Sequence, residues 1–374
     1  MLYFDHNATS PMLAEARDAW LEAVERYPGN PSSLHRVGER ADKALGDARE
    51  HLAAWLGCHP LDIVFTSGAT ESANLVIHHA AKAYSEISSI WHSAIEHPCV
   101  GQVVRSQLPK RNVPLRPLEN GRIEKAQIEE AFRHRRPALL AVMASNNETG
   151  ILQPWKEIGE VCREHGVDYF CDATQWLGKL PAKGLGACDY VAGSAHKFGG
   201  PRGVGFLKVK RGGRFEPLFR GGMQEEGRRA GTENVAGVLS MIKALEIRER
   251  ALAASEQVRR QGWRDGFLTR LKAALPGVSV VGQSGERIWN TAAVVMPAKD
   301  CRQRLVVKLD KAGFAVATGS ACASGREEAS PVLIAMGYSP EDAARMLRFS
   351  SGWETTESDW ESLLAGLIRV AGGE

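Results

Sequence analysis

Gly193-Ser194-Ala195-His196-Lys197-Phe198-Gly199-Gly200-Pro201-Arg202-Gly203-Val204-Gly205 is the stretch from which the chain is best read. The run Asp189-Tyr190-Val191-Ala192 leads into it as a strand, and Val204-Gly205-Phe206-Leu207 leaves it as a second apolar run. Between them stands one lysine, with small and polar residues before it and glycines after. An amine placed this way serves to form a Schiff base with an aldehyde cofactor. Ser194 and His196 offer hydrogen bonds to an anion beside it, and the glycines let the backbone turn sharply and come close to a ligand. By itself, a lysine in a Gly-rich hairpin is an ordinary surface cation. The upstream sequence decides between the two.

Upstream, Val167-Asp168-Tyr169-Phe170-Cys171 reads as a strand that ends at Asp172, with Gln175 three residues on. Ala138-Leu139-Leu140-Ala141-Val142-Met143 is another strand and ends in the polar turn Ser145-Asn146-Asn147-Glu148-Thr149-Gly150. Ser89-Ile90-Trp91-His92 runs to Glu96-His97-Pro98, and Ile63-Val64-Phe65-Thr66 breaks at Ser67-Gly68-Ala69-Thr70-Glu71 before a helix that continues to about Tyr84. That last sequence of strand, small-residue turn and helix start makes an anion site, because free N–H groups and the positive dipole end point outward there. Further helices are expected at about 12–26, after a cap at Ser32 or Ser33, at 154–165, and as one long bridge over 235–272. Strands alternating with helices predict an α/β fold with a mostly parallel, doubly wound sheet, whose ligands lie beyond the carboxyl ends of the strands. Thr70, His97, Asn147, Asp172, Gln175, Ser194, His196 and Lys197 all follow such ends.

The bridge leads to a smaller second domain, with a strand near 289–296, a helix at 301–312 and a strand Phe314-Ala315-Val316. Next comes a small, polar, loop-like segment over 317–330, with Cys322 in its middle. A core cysteine has apolar neighbours and this one does not; an exposed thiol on a mobile loop suits nucleophilic work. Arg348-Phe349-Ser350-Ser351-Gly352 follows a helix expected at 340–346, and a terminal helix closes the chain.

Bulk properties narrow the class. The 374 residues, 44% hydrophobic and 24% charged, suit a globular protein of two to three domains. A net charge of +3 argues against nucleic acid or an anionic membrane as partner. No apolar run approaches the ~20 residues of a membrane span, and no secretory signal is visible. The seven cysteines, at 58, 99, 162, 171, 188, 301 and 322, lack Cys-x-x-Cys spacing. This argues against both a disulfide framework and a zinc site, so no metal and a reducing cytoplasm are expected.

With Lys197, Asp172, His97 and Cys322 in hand, the chain resembles the cysteine desulfurases of the NifS/IscS kind. These are class V aminotransferases of pyridoxal 5′-phosphate (PLP) fold type I. The resemblance runs from Tyr3 to about Gly352, through DHNAT (5–9), GNPSSLH (29–35), SGATES (67–72), EHPCV (96–100), NNETG (146–150), DATQ (172–175), SAHKFGGPRGVG (194–205), RRAGTEN (228–234), GSAC (319–322) and RFSSG (348–352). It implies a large PLP-binding domain over 12–250 with a mainly parallel seven-stranded sheet, and a small α/β domain made of 1–11 and 251–374 that carries the cysteine loop.

It also implies roles. Lys197 would hold PLP and move the substrate Cα proton. Asp172 would pair with the ring nitrogen, worth roughly 5 kcal/mol gross at ~3 Å and an effective dielectric of ~20. Gln175 would bond the phenolic oxygen, and His97 would stack on the ring and shuttle a proton. Ala69, Thr70, Ser194 and His196 would form the phosphate site, and Thr232 would reach the phosphate of a neighbouring subunit in a homodimer. Asn147 and Arg348 would hold the substrate carboxylate. Cys322 would take the sulfur of L-cysteine as a persulfide, leaving L-alanine, and pass it to an acceptor such as an iron–sulfur scaffold or a tRNA-thiolation enzyme. His6, Trp176, Met223 and Ala329 depart from the family pattern, and Cys99, beside His97, reads as structural. Two other readings stay open. One is a selenocysteine lyase or aminotransferase on the same scaffold, which Cys322 would distinguish. The other is a non-catalytic sulfur-relay protein.

Overall fold

The computed structural model describes residues 1–212, 215–298, 302–319 and 329–372. Its large sheet has seven strands in the spatial order Ile63–Thr66, Gly205–Lys208, Tyr190–Ser194, Asp168–Asp172, Leu139–Ala141, Ile90–Ser93 and Asn112–Leu115. Only Gly205–Lys208 runs against its neighbours; the other pairs are parallel. Both faces are covered, so most side chains of the inner strands are apolar. Alternation along each strand divides the core. Phe65, Leu140, Tyr169, Val191 and Phe206 point to one side, onto Leu52, Trp155 and Ile158. Val64, Leu139, Phe170, Ala192 and Leu207 point to the other, onto Val76, Ile77 and Val100.

A four-stranded antiparallel sheet, ordered Ala317–Thr318, Met346–Ser350, Thr291–Val295 and Ser279–Val280, packs on Phe267, Leu271, Trp360 and Leu363. The chain start joins this part: Leu2–Tyr3 pairs in parallel with Phe314–Ala315. That pairing carries residues 5–9 to the carboxyl edge of the large sheet. Among the described residues no helix is long and apolar enough to cross a membrane.

Three local expectations are corrected, and one strand is added. The bridge over 235–272 is two helices, Val235–Ala253 and Glu256–Ala274, broken at Ser255 with φ 56°. The break lets Leu252 pack with Ile288, Trp289 and Trp353 while Phe267 and Leu271 enter the core of the small sheet. The helix Arg36–Leu56 is capped not by Ser32 or Ser33 but by His35, whose Nδ1 accepts from the Gly38 N–H at 3.2 Å. Arg348 lies within the strand Met346–Ser350, after a shorter helix Pro340–Ala344. The edge strand Asn112–Leu115 was not expected. Its Pro114 is tolerated there because an edge leaves one side of the ladder unpaired.

His6 is buried against Gly352, where a Cβ would lie 2.2 Å from the imidazole Cε1. Burial holds its pKa down to about 4, against the opposing pull of Glu354. Between that value and the ~6.5 of the unfolded chain, unfolding takes up a proton, so stability is full above this window and falls as pH drops through it. His6→Asn should therefore remove about 2 kcal/mol of the loss between pH 7 and pH 5. Denaturant melts of both proteins at the two pH values measure it; equal losses would refute the assignment.

Candidate active site

The carboxyl ends of the parallel strands and the chain start enclose a cavity of about 640 Å³. Ala69, Thr70, His97, Asn147, Asp172, Gln175, Ser194, His196, Lys197 and Arg348 all line it. Thr232 is not in this wall; it is exposed in the loop before Val235–Ala253. Cys322 lies outside the described residues.

Lys197 ends a single turn, Ala195–Lys197, that follows the strand Tyr190–Ser194 directly. Its Nζ donates to the carbonyls of Asn7 at 2.6 Å and Ala8 at 2.9 Å. Asp172 closes its own strand, and its Oδ1 accepts from the Thr174 N–H at 2.9 Å. His97 caps the helix Pro98–Gln107, with Nδ1 accepting from the Cys99 N–H at 3.2 Å. The proton of the neutral ring therefore sits on Nε2. Burial lowers the His97 pKa, Asp172 opposes this, and Lys197 adds to it.

The anion seat is backbone-built. Gly68, with φ 149°, precedes the helix Ala69–Ala83 and makes no side-chain cap, so the first N–H groups of the helix stay available. A Cβ on Gly68 would lie 3.2 Å from Ser194 Oγ, and one on Gly205 would lie 2.6 Å from the Gly68 Cα. Only glycine lets the three segments meet so closely. His196, with its pKa lowered to about 4 by burial and by Lys197 and Arg202, is a neutral donor or acceptor here.

Arg348 is 1% exposed. Its Nη2 pairs with Asp5 Oδ1 at 2.7 Å and its Nη1 donates to the Asn147 carbonyl at 2.9 Å. Its Nε has no partner among the described residues, nor do the buried hydroxyls of Ser145 and Thr174, which also line the cavity.

Several contributors escaped the sequence reading. Asn7, inside the quoted DHNAT, links everything: its carbonyl accepts from Lys197 and from Gln175 Nε2 at 2.9 Å, and its Nδ2 donates to the Asn147 carbonyl at 3.1 Å. Lys179, the one cation in Trp176-Leu177-Gly178-Lys179-Leu180, is buried behind Gln175. That lone charge in an apolar run was a legible signal. Glu96 accepts from the Met143 N–H at 2.8 Å, and burial and the nearby Asp172 push its carboxyl well up. The Cys99 thiol, in the cavity wall, is pushed up by burial and by Asp172 and Glu96, which leaves it protonated.

These groups fit PLP on their chemistry: an anion seat for its phosphate, an amine for its aldehyde, a carboxylate for its ring nitrogen, and buried donors left over for a bound molecule. Among the described residues no cluster of His, Cys, Asp or Glu is arranged to hold a metal ion.

Comparison with known proteins agrees. The aminotransferase class-V family model matches residues 2–363. "Cysteine desulfurase 2" of Trichormus variabilis is 35% identical over 97% of this chain and 91% of its own length. "Cysteine desulfurase IscS" of Dictyoglomus turgidum is 33% identical over 99% and 94%. A NifS-like protein superposes with a TM-score of 0.90 at 28% identity, covering 99% of both chains. SspA, solved in complex with cysteine, gives 0.81 at 30% identity over 94% and 98%. The chain thus belongs to the class-V aminotransferase family, among the PLP-dependent enzymes of the NifS/IscS cysteine desulfurase kind.

Proposed function

We propose that the chain is a cysteine desulfurase that moves the sulfur of L-cysteine onto Cys322, releases L-alanine, and hands the sulfur to an acceptor protein. The observation that carries this is the meeting of Lys197, Asp172 and Arg348 around one cavity. Bound there, PLP supplies an electron sink for the charge that develops at the substrate Cα.

Each residue then has a task. Lys197 Nζ would hold the cofactor, and as a free amine it would carry the substrate Cα proton. Asp172 supports a proton on the ring nitrogen. Gln175 would donate to the ring oxygen, and the His97 imidazole would cover the ring face. Ala69 and Thr70 at the helix start, with Ser194 and His196, hold the phosphate. Asn147 and the unpartnered Nε edge of Arg348 hold the substrate carboxylate. Cys322 thiolate attacks the substrate sulfur: an S–S bond forms, the Cβ–S bond breaks, and its electron pair stays on the carbon skeleton, which is reprotonated to alanine. Thr232 is assigned to the phosphate of a second copy in a homodimer. The working division is a PLP-binding domain of 12–250 and a cysteine-bearing domain of 1–11 with 251–374.

The reading is tested by feeding L-cysteine and reductant and measuring alanine. Alanine forms without any 2-oxo acid. Product that appears only when a 2-oxo acid is added would make the protein an aminotransferase instead.

Arg348→Ala should raise KM for cysteine by about 10²-fold, since charged hydrogen bonds contribute about 1.5–3 kcal/mol. Arg348→Lys should recover only part of it, because an ammonium lacks the parallel donor pair. Steady-state kinetics decide; an unchanged KM for Arg348→Ala would remove the carboxylate role.

A further inference from the structure

Lys179, behind Gln175, is a buried cation that the mechanism leaves unused. It is 3% exposed. Its backbone is clamped, with the carbonyl accepting from Trp289 Nε1 at 2.8 Å and the N–H donating to the Trp176 carbonyl at 3.0 Å. Its Nζ donates to Gln175 Oε1 at 2.5 Å and to Asn7 Oδ1 at 3.2 Å. The charges that act on it are Lys197 and Arg348, both cations, and with burial as the larger cause they hold its pKa well below the usual lysine value. A neutral amine has two N–H donors, and two amide oxygens are there to receive them.

The consequence falls on Gln175. The Asn7 amide is fixed independently, because its Oδ1 also accepts from Asn290 Nδ2 at 3.1 Å and its Nδ2 donates to Thr291 Oγ1 at 2.9 Å. With Oε1 of Gln175 turned to Lys179, Nε2 must turn to the Asn7 carbonyl, the same atom that receives Lys197 Nζ. A reversed amide would set two oxygens against each other and leave the Lys179 donor unmatched. We propose that Lys179 is a positioning residue: as a buried amine it holds the Gln175 amide with its NH₂ group toward Lys197, where the cofactor's ring oxygen is assigned. This rests on the reading above that Gln175 meets that oxygen.

The test is the visible absorbance of the purified holoenzyme titrated with pH, without substrate. A donor to an anionic oxygen lowers its proton affinity, so Gln175→Leu raises the spectral midpoint by about one unit. Lys179→Met raises it by a comparable amount, and Gln175→Leu/Lys179→Met goes no further than Gln175→Leu alone, as expected for two groups acting through one contact. The double variant removes both polar partners together, so it is tested even if Lys179→Met does not fold. A wild-type midpoint in Lys179→Met beside a shifted Gln175→Leu overturns the Lys179 assignment and spares Gln175. A double variant that titrates differently from Gln175→Leu also overturns it. No shift in Gln175→Leu overturns both.

Discussion

Lys197→Ala lowers alanine formation by about 10³-fold or more, while the variant still binds PLP. Two functions leave with one amine. Covalent attachment is lost, and so is the base that moves the Cα proton, a role that alone contributes about 10²–10⁴-fold. These losses act as a unit and do not multiply. Binding persists because the helix start at Ala69 and Thr70, with Ser194 and Asp172, is built without Lys197. Lys197→Arg does not rescue, since a guanidinium stays protonated at neutral pH and is no nucleophile. Single-turnover alanine yield gives the rate, and the absorbance of the isolated variant reports the bound cofactor. Wild-type turnover by Lys197→Ala would remove the central assignment.

The strand-end residues were legible because their position is local. Asp172, His97 and Thr70 each follow an apolar run within a few residues, and a parallel sheet gathers such ends at one edge. Asn7 was not assignable in this way. Its place beside Lys197 depends on Leu2–Tyr3 pairing with Phe314–Ala315, a contact across most of the chain. No local pattern carries that information. Lys179 stands out locally as a lone cation in an apolar run, but its place depends on the same contact, since one of its two acceptors is Asn7. The 235–272 bridge was misread because both halves have helical periodicity, and the break at Ser255 is set by which core each half enters. Arg348 was read as following a helix because Pro340–Ala344 is short, and the strand after it is recognised only through its partner Thr291–Val295.

Cys322→Ser should abolish sulfur transfer, with alanine formation reduced at least ~10³-fold, in the range seen when a covalent nucleophile is removed. Cys322 lies outside the described residues, while Gly319 and Ser330 are within them. A Cβ on Gly319 would lie 2.8 Å from Glu148 Oε2, and Ser330 Oγ donates to that same oxygen at 2.6 Å. Glu148 lines the cavity, so Gly319 and Ser330 both lie against a residue of the cavity wall. Four other thiols are poor substitutes: Cys99, Cys162 and Cys171 are pushed up by burial, and Cys58 up to about 11. Serine offers no thiolate, yet Lys197 needs none to move the Cα proton. The variant should therefore still exchange that proton with deuterium from solvent while making almost no alanine. Mass spectrometry after L-cysteine without reductant should find an added sulfur on the Cys322 peptide of the wild type and none on the variant. Sulfur lodged only on another cysteine, or full alanine yield from Cys322→Ser, would show that the nucleophile lies elsewhere.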